Sequence, residues 1–157
     1  MKLYHGTDLE SAINIEKNGI DVFFNCDRRG DFGPGFYMTQ NLEQAYKLAR
    51  SNDVGAILKY RLNERSLKSL SVKVFRGFSK EWGNTINSER NKGIDVLRGY
   101  DFVFGKMADG NFVDLFNKRI NIDEYISGVS NDIGDQVIAK TIKAVNALKY
   151  DGKVVLK

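Results

Sequence analysis

One cysteine (Cys26), one histidine (His5), one proline (Pro34) and one tryptophan (Trp82) occur among 157 residues. A single cysteine excludes a disulfide within the chain and points to a reducing compartment. With one histidine and one cysteine, a zinc site built on those ligands is excluded, and no metal is expected. No run of eighteen apolar residues is present, and the opening "MKLYHGTDLE" lacks a signal-peptide core, so a cytoplasmic protein with no membrane partner is predicted. Charge of one sign is not concentrated either. Lys and Arg number 24 against 20 Asp and Glu, spread along the chain, which predicts a solvated mixed surface and leaves an anionic partner open.

What is present suits a folded chain. Apolar residues make up 42% and charged residues 28%, and the length matches one domain spanning 1–157. Lys2 to His5 reads as a strand stopped by a turn at Gly6, after which Thr7 or Asp8 caps a helix that buries Leu9, Ala12, Ile13 and Ile15 and stops at Gly19. A polar stretch with Asp27, Arg28 and Arg29 leads into "GDFGPGFYMT", where three glycines and the only proline precede a short strand, Phe36 to Thr39. Asn41 then caps a second helix, with Gln44 completing a capping box and Leu42, Ala45, Tyr46, Leu48 and Ala49 on the buried face. Strands are predicted at 55–63, 71–75 and 100–104, and a helix from Ser79 broken at Gly83. A last apolar segment, Val137 to Ala139, precedes a helix carrying Ile142, Ala144, Val145 and Leu148, and a closing strand covers 154–156. Helices and strands are interspersed without regular alternation, which predicts the α+β class.

The pieces "LYHGT", "NGI", "FGPGFYMT", the Trp82 helix, "YDFVFGKMADG" and "QVIAKT" follow one another in an order that resembles the ADP-ribosyltransferase superfamily. The similarity is to the branch containing diphtheria toxin and the poly-ADP-ribose polymerases, and above all to small bacterial ADP-ribosyltransferase-like proteins long catalogued as a domain of unknown function. The resemblance implies a split β-sheet core with flanking helices and a cleft for NAD, which is the substrate. It implies mono-ADP-ribosyl transfer to a protein or nucleic acid, a role as a bacterial or phage toxin, and a small antitoxin or inhibitor protein as partner.

The same resemblance assigns residues, and their chemistry suits the roles. Gly6 offers backbone to the nicotinamide carboxamide, which needs both a donor and an acceptor. His5 hydrogen-bonds the adenosine ribose, with the Thr7 hydroxyl beside it. Tyr37 gives the cationic pyridinium a ring face, Gly35 belongs to the turn that aims it, and Phe36 points to the opposite face of the strand. Arg28 and Arg29 either meet the pyrophosphate or remain solvated loop charges. The superfamily's late glutamate is replaced by Gln136, which accepts a hydrogen bond from the ribose 2′-hydroxyl but carries no charge and cannot act as a base. Asp135 or Asp109 would have to supply a base, if either is more than a turn residue. His5, Tyr37 and Gln136 are therefore the expected catalytic set. The alternative is a non-catalytic module that binds NAD, ADP-ribose or a protein. NAD-dependent removal of an RNA 2′-phosphate would want further basic and histidine residues than this chain has.

Overall fold

The first strand does not stop at Gly6. In the computed structural model, which describes residues 1–26, 30–51, 53–108, 112–128 and 132–157, β1 runs over Lys2–Asp8, with Gly6 paired to Ile57 inside the ladder. Asp8, not Thr7, then caps α1 (Leu9–Asn18), its Oδ1 accepting the Ser11 N–H at 2.7 Å, and the Gly19 N–H donates to the Ile15 carbonyl to close the helix. After the glycine segment come β2 (Phe36–Met38), α2 (Leu42–Arg50) and β3 (Gly55–Leu62). A 3₁₀ turn at Glu64–Ser69 leads to β4 (Val72–Val74), and α3 (Lys80–Ile86) runs into a π-helical turn, Asn87–Asn91. The chain then forms β5 (Phe102–Lys106), α4 (Phe112–Phe116), α5 (Ile122–Gly128), β6 (Asp135–Ala139), α6 (Ile142–Asn146) and β7 (Leu148–Val155).

Two sheets result, so the class is α+β. One is antiparallel with order β1-β3-β7; the other has order β2-β6-β5-β4, antiparallel except for the parallel β4/β5 pair. Among the described residues one isolated bridge joins them, in which Tyr4 and Thr39 exchange backbone hydrogen bonds of 2.8 and 2.9 Å.

Strand alternation decides what each face meets. Leu3, Leu58, Tyr60 and Leu62 of the first sheet and Phe36, Met38, Phe102, Val137 and Ala139 of the second pack in one core with Ala12 of α1 and Ala144 of α6. On the other side of the second sheet, Ile138 and Val103 pack with Phe32, Phe75, Trp82, Ile86, Leu97, Leu115 and Tyr125. Burying each large side chain of this kind contributes about 2 kcal/mol.

Several sequence expectations are corrected by this packing. Ile13 is 49% exposed because α1 covers the sheet only through Leu9, Ala12 and Ile15. In α2 just Gln44, Ala45 and Ala49 are buried: the two alanines lie so close on Gly6 of β1 and Gly55 of β3 that only small residues fit there, Gln44 reaches β6, and Leu42, Tyr46 and Leu48 face outward. The Asn41 cap forms, accepting from the Glu43 and Gln44 N–H groups, but the Gln44 side chain donates to the Asp135 carbonyl instead of returning to the cap. Gly83 does not break its helix; it lets α5 close in, because a Cβ there would stand 2.9 Å from Ile122 Cδ1. The fifth strand lies two residues later than predicted, at Phe102–Lys106. Leu148 opens β7 instead of ending a helix, and Ile142 is exposed. Among the described residues no helix is long and apolar enough to cross a membrane.

Candidate functional site

The site is built where β1 and β2 separate. Met1 and Leu62 exchange backbone hydrogen bonds, so the odd-numbered residues of β1 bond to β3 and the even-numbered ones turn their N–H and C=O to the opposite edge. Tyr4 uses that edge for Thr39. Gly6, two residues on, directs its N–H and C=O to the same edge beyond the bridge, where β2 has diverged. Gly6 is also required there sterically. A Cβ would lie 2.1 Å from the Ala45 carbonyl oxygen, in the backbone of α2.

His5 fills the gap between the strands. Its Nδ1 lies 2.7 Å from the Tyr37 carbonyl, which only accepts, so Nδ1 carries the proton and Nε2 is left as an acceptor in the neutral ring. The imidazole also packs on Phe36, ring centroids 4.3 Å apart. Burial pushes the His5 pKa down, outweighing the Tyr37 hydrogen bond and the Asp8 charge that act upward, so the neutral form is favoured.

A cleft of about 270 Å³ opens beside it, lined by His5, Thr7, Gly35, Phe36 and Tyr37 together with α1 residues Ser11, Asn14 and Ile15 and by Gly19, Asp21, Phe24 and Asn25 of the following loop. Phe24 is 82% exposed at its rim. Five of the residues expected at a ligand site therefore meet in one concavity. Gly6 adjoins it along the strand edge.

Phe36 and Tyr37 point to opposite faces of β2. Phe36 belongs to the core between the sheets, and Tyr37 packs against the cluster behind the second sheet. The Tyr37 hydroxyl donates to the Gly33 carbonyl at 2.6 Å and accepts the Phe32 N–H at 3.1 Å, and burial holds its proton well above the usual phenol range. The glycines in front of it serve a purpose different from the expected one. Gly30 makes room for the Tyr37 ring itself, a Cβ there falling 2.5 Å from Cζ, and Gly33, at φ 74°, lies against the Glu89 carboxylate. The segment is filled by the protein's own side chains.

Gln136 does not line the cleft. It lies on the same face of the second sheet as Tyr37, since Tyr37 pairs with Ile138 and Gln136 is the diagonal neighbour. It is 5% exposed, and its Nε2 donates to Asp31 Oδ2 at 2.8 Å and to the Lys106 carbonyl at 3.2 Å. Asp135 projects from the other face of β6 and is ion-paired to Lys106 at 3.0 Å, so it is not beside Gln136 as a base. Arg28, Arg29 and Asp109 lie outside the described residues.

Sequence reasoning missed the residues that fix the glycine segment. Phe32 is fully buried and stacks on Phe75 at 5.2 Å. The Lys140 ammonium donates to the Phe32 and Pro34 carbonyls at 2.7 and 2.9 Å. Asn25 Oδ1 accepts the Gly35 N–H at 3.1 Å. The one available signal was Phe32 itself, a large apolar residue inside a glycine turn. Among the described residues no group of three or more His, Cys, Asp or Glu is placed to hold a metal.

The chain belongs to the family described as protein of unknown function (DUF3990), whose sequence profile matches residues 1–150. No curated protein matches it.

Proposed function

We propose that this member of the family is a mono-ADP-ribosyltransferase that cleaves NAD and passes ADP-ribose to a macromolecule, protein or nucleic acid. One observation carries the reading. The separation of β1 and β2 brings His5, Gly6, Thr7 and the Gly35–Tyr37 stretch, residues chosen by the superfamily resemblance, to a single cleft and its adjoining strand edge.

The residues present suit the substrate in parts. The cleft, about 270 Å³ and lined by His5 and Thr7, is of a size for part of NAD rather than the whole, and an imidazole acceptor and a hydroxyl are groups that suit ribose hydroxyls. The Gly6 N–H and C=O, on the open edge of β1, form the donor and acceptor pair a carboxamide needs. Tyr37 is held by its hydroxyl and packs on the cluster behind the second sheet, but it is only half-buried, and the uncovered part of its ring is what it can offer a pyridinium. The glycosidic C–N bond of NAD breaks with both electrons leaving on nicotinamide, and the acceptor's nucleophile then bonds to the same ribose carbon and loses its proton to solvent. Gln136 stands outside that cleft, 5% exposed on the Tyr37 face of the second sheet. Catalysis on this reading therefore requires the nicotinamide ribose to pass Tyr37 and meet Gln136 Oε1 as a neutral acceptor for its 2′-hydroxyl, which stabilises the developing cation less than a carboxylate would.

A toxin role in a bacterium or phage, with a small neutralising protein, is the biological setting this reading favours. The test is purified protein with labelled NAD and cell extract. Nicotinamide release with a nuclease- or protease-sensitive adduct, lost in Tyr37→Ala, is the expected result. A second reading, a non-catalytic NAD or ADP-ribose binder, is favoured by the burial of Gln136 away from the cleft. Calorimetric binding of NAD with no turnover over hours would select it.

A further inference from the structure

Asp31 takes no part in the chemistry just described, yet Gln136, Ala108 and Arg90 all engage its carboxylate. It is 9% exposed. Its Oδ2 accepts from Gln136 Nε2 and from the Ala108 N–H, each at 2.8 Å, and its Oδ1 is ion-paired with Arg90 at 3.1 Å. The neighbouring Phe32 ring lies over Gly105, the β5 partner of Gln136, where a Cβ would fall 2.7 Å from Cζ. The glycine segment thus delivers a carboxylate to Gln136 and locks it there through the buried Phe32.

A primary amide has a donor end and an acceptor end. Both hydrogens of Gln136 Nε2 are engaged, by Asp31 and by the Lys106 carbonyl, and no described residue donates to Oε1. A carboxylate accepts but never donates, so Asp31 selects the amide orientation in which Nε2 faces it and Oε1 faces away.

We infer that Asp31 is a positioning residue: it orients the Gln136 amide so that a neutral side chain presents to a ribose hydroxyl the acceptor oxygen that a glutamate would present. The inference rests on the proposed NAD chemistry. It also explains why glutamine stands at this position. A glutamate in place of Gln136, opposite Asp31, would set two carboxylates about 3 Å apart, and such a pair does not ionise twice. Asp31 with Gln136, or asparagine with glutamate, are the compatible pairs. The charged and titratable groups around them are Arg90 and Glu89 of the π-helical turn, Tyr37 of β2 and Lys140 following β6.

Four proteins test this: wild type, Asp31→Asn, Gln136→Glu and the double variant, each followed by nicotinamide release, NAD calorimetry and melting temperature between pH 5 and 8. Asp31→Asn is expected to lower kcat about tenfold or more while KM changes much less. Gln136→Glu, although it restores the superfamily's residue, is expected to lose activity. It should also melt progressively lower as pH rises, because a carboxyl pKa raised in the folded state makes stability fall with pH. The double variant should recover activity and the wild-type pH dependence of melting. Gln136→Glu that is as active as wild type with Asp31 in place, or a double variant no better than the singles, overturns the inference. Should Asp31→Asn not fold, Gln136→Glu alone decides it. Wild-type protein that releases no nicotinamide refutes the catalytic role together with the proposed function, while the melting curves still report separately on the Asp31–Gln136 pairing.

Discussion

Removing one hydroxyl from Tyr37 isolates what holds the glycine segment from what the ring offers a ligand. In Tyr37→Phe the ring and its packing remain, but the Gly33 carbonyl loses its 2.6 Å donor and the Phe32 N–H its 3.1 Å acceptor. Each hydrogen bond is worth about 1 kcal/mol net, and the backbone groups left behind lie in a partly buried turn where water reaches them poorly. The expected loss is about 2 kcal/mol. For a chain of this length that lowers Tm by about 4–8 °C. Tyr37→Ala removes the packing as well and should cost about 4 kcal/mol. Tyr46→Phe on the outer face of α2 is the control, with a change below about 0.5 kcal/mol. Urea melts of the three variants measure this ladder, and NAD calorimetry on Tyr37→Phe measures the ring. Tyr37→Phe as stable as wild type would refute the claim that the hydroxyl ties the turn.

Three further outcomes are expected. His5 is the only histidine, and its folded pKa lies below the ordinary 6.5; its contribution is therefore complete above pH 6.5 and is lost as pH falls toward the folded value, so the stability difference between wild type and His5→Gln should shrink over that window in urea melts. Gly6→Ala places a methyl group 2.1 Å from the Ala45 carbonyl, a backbone atom that cannot step aside without moving α2, and should cost about 2–3 kcal/mol in the same assay. Lys140→Met leaves the Phe32 and Pro34 carbonyls without their shared ammonium and should lose about 3 kcal/mol, with faster proteolytic cleavage in the glycine segment.

The elements most legible in the sequence were those with local chemistry. Asp8 and Asn41 form helix caps because a short polar side chain reaches the N–H groups of the first turn wherever the helix later packs. The opposed faces of Phe36 and Tyr37 followed from strand alternation alone. What the sequence hid depends on contacts distant along the chain. Gly6 looks like a turn residue until α2 is known to rest on it. The outward Leu42, Tyr46 and Leu48 were predicted inward because helical periodicity marks a face but not how closely that face is approached. Gln136 could be located by resemblance, but its partner lies 105 residues earlier, and no local pattern connects a turn aspartate to a late strand. The glycines of "GDFGPG" were read as part of a turn that aims Tyr37 at a ligand, and no local pattern shows that Gly30 and Gly33 themselves receive the Tyr37 ring and the Glu89 carboxylate of the same chain.

The cleft at the β1/β2 separation is proposed to bind NAD and to lead to its cleavage. The most direct measurement is nicotinamide release from NAD by the purified protein in cell extract, comparing wild type with Tyr37→Ala and His5→Ala. Release by wild type, with a covalent ADP-ribose adduct and loss of both in the two variants, is the predicted result. No release and no NAD binding by any of the three would contradict it.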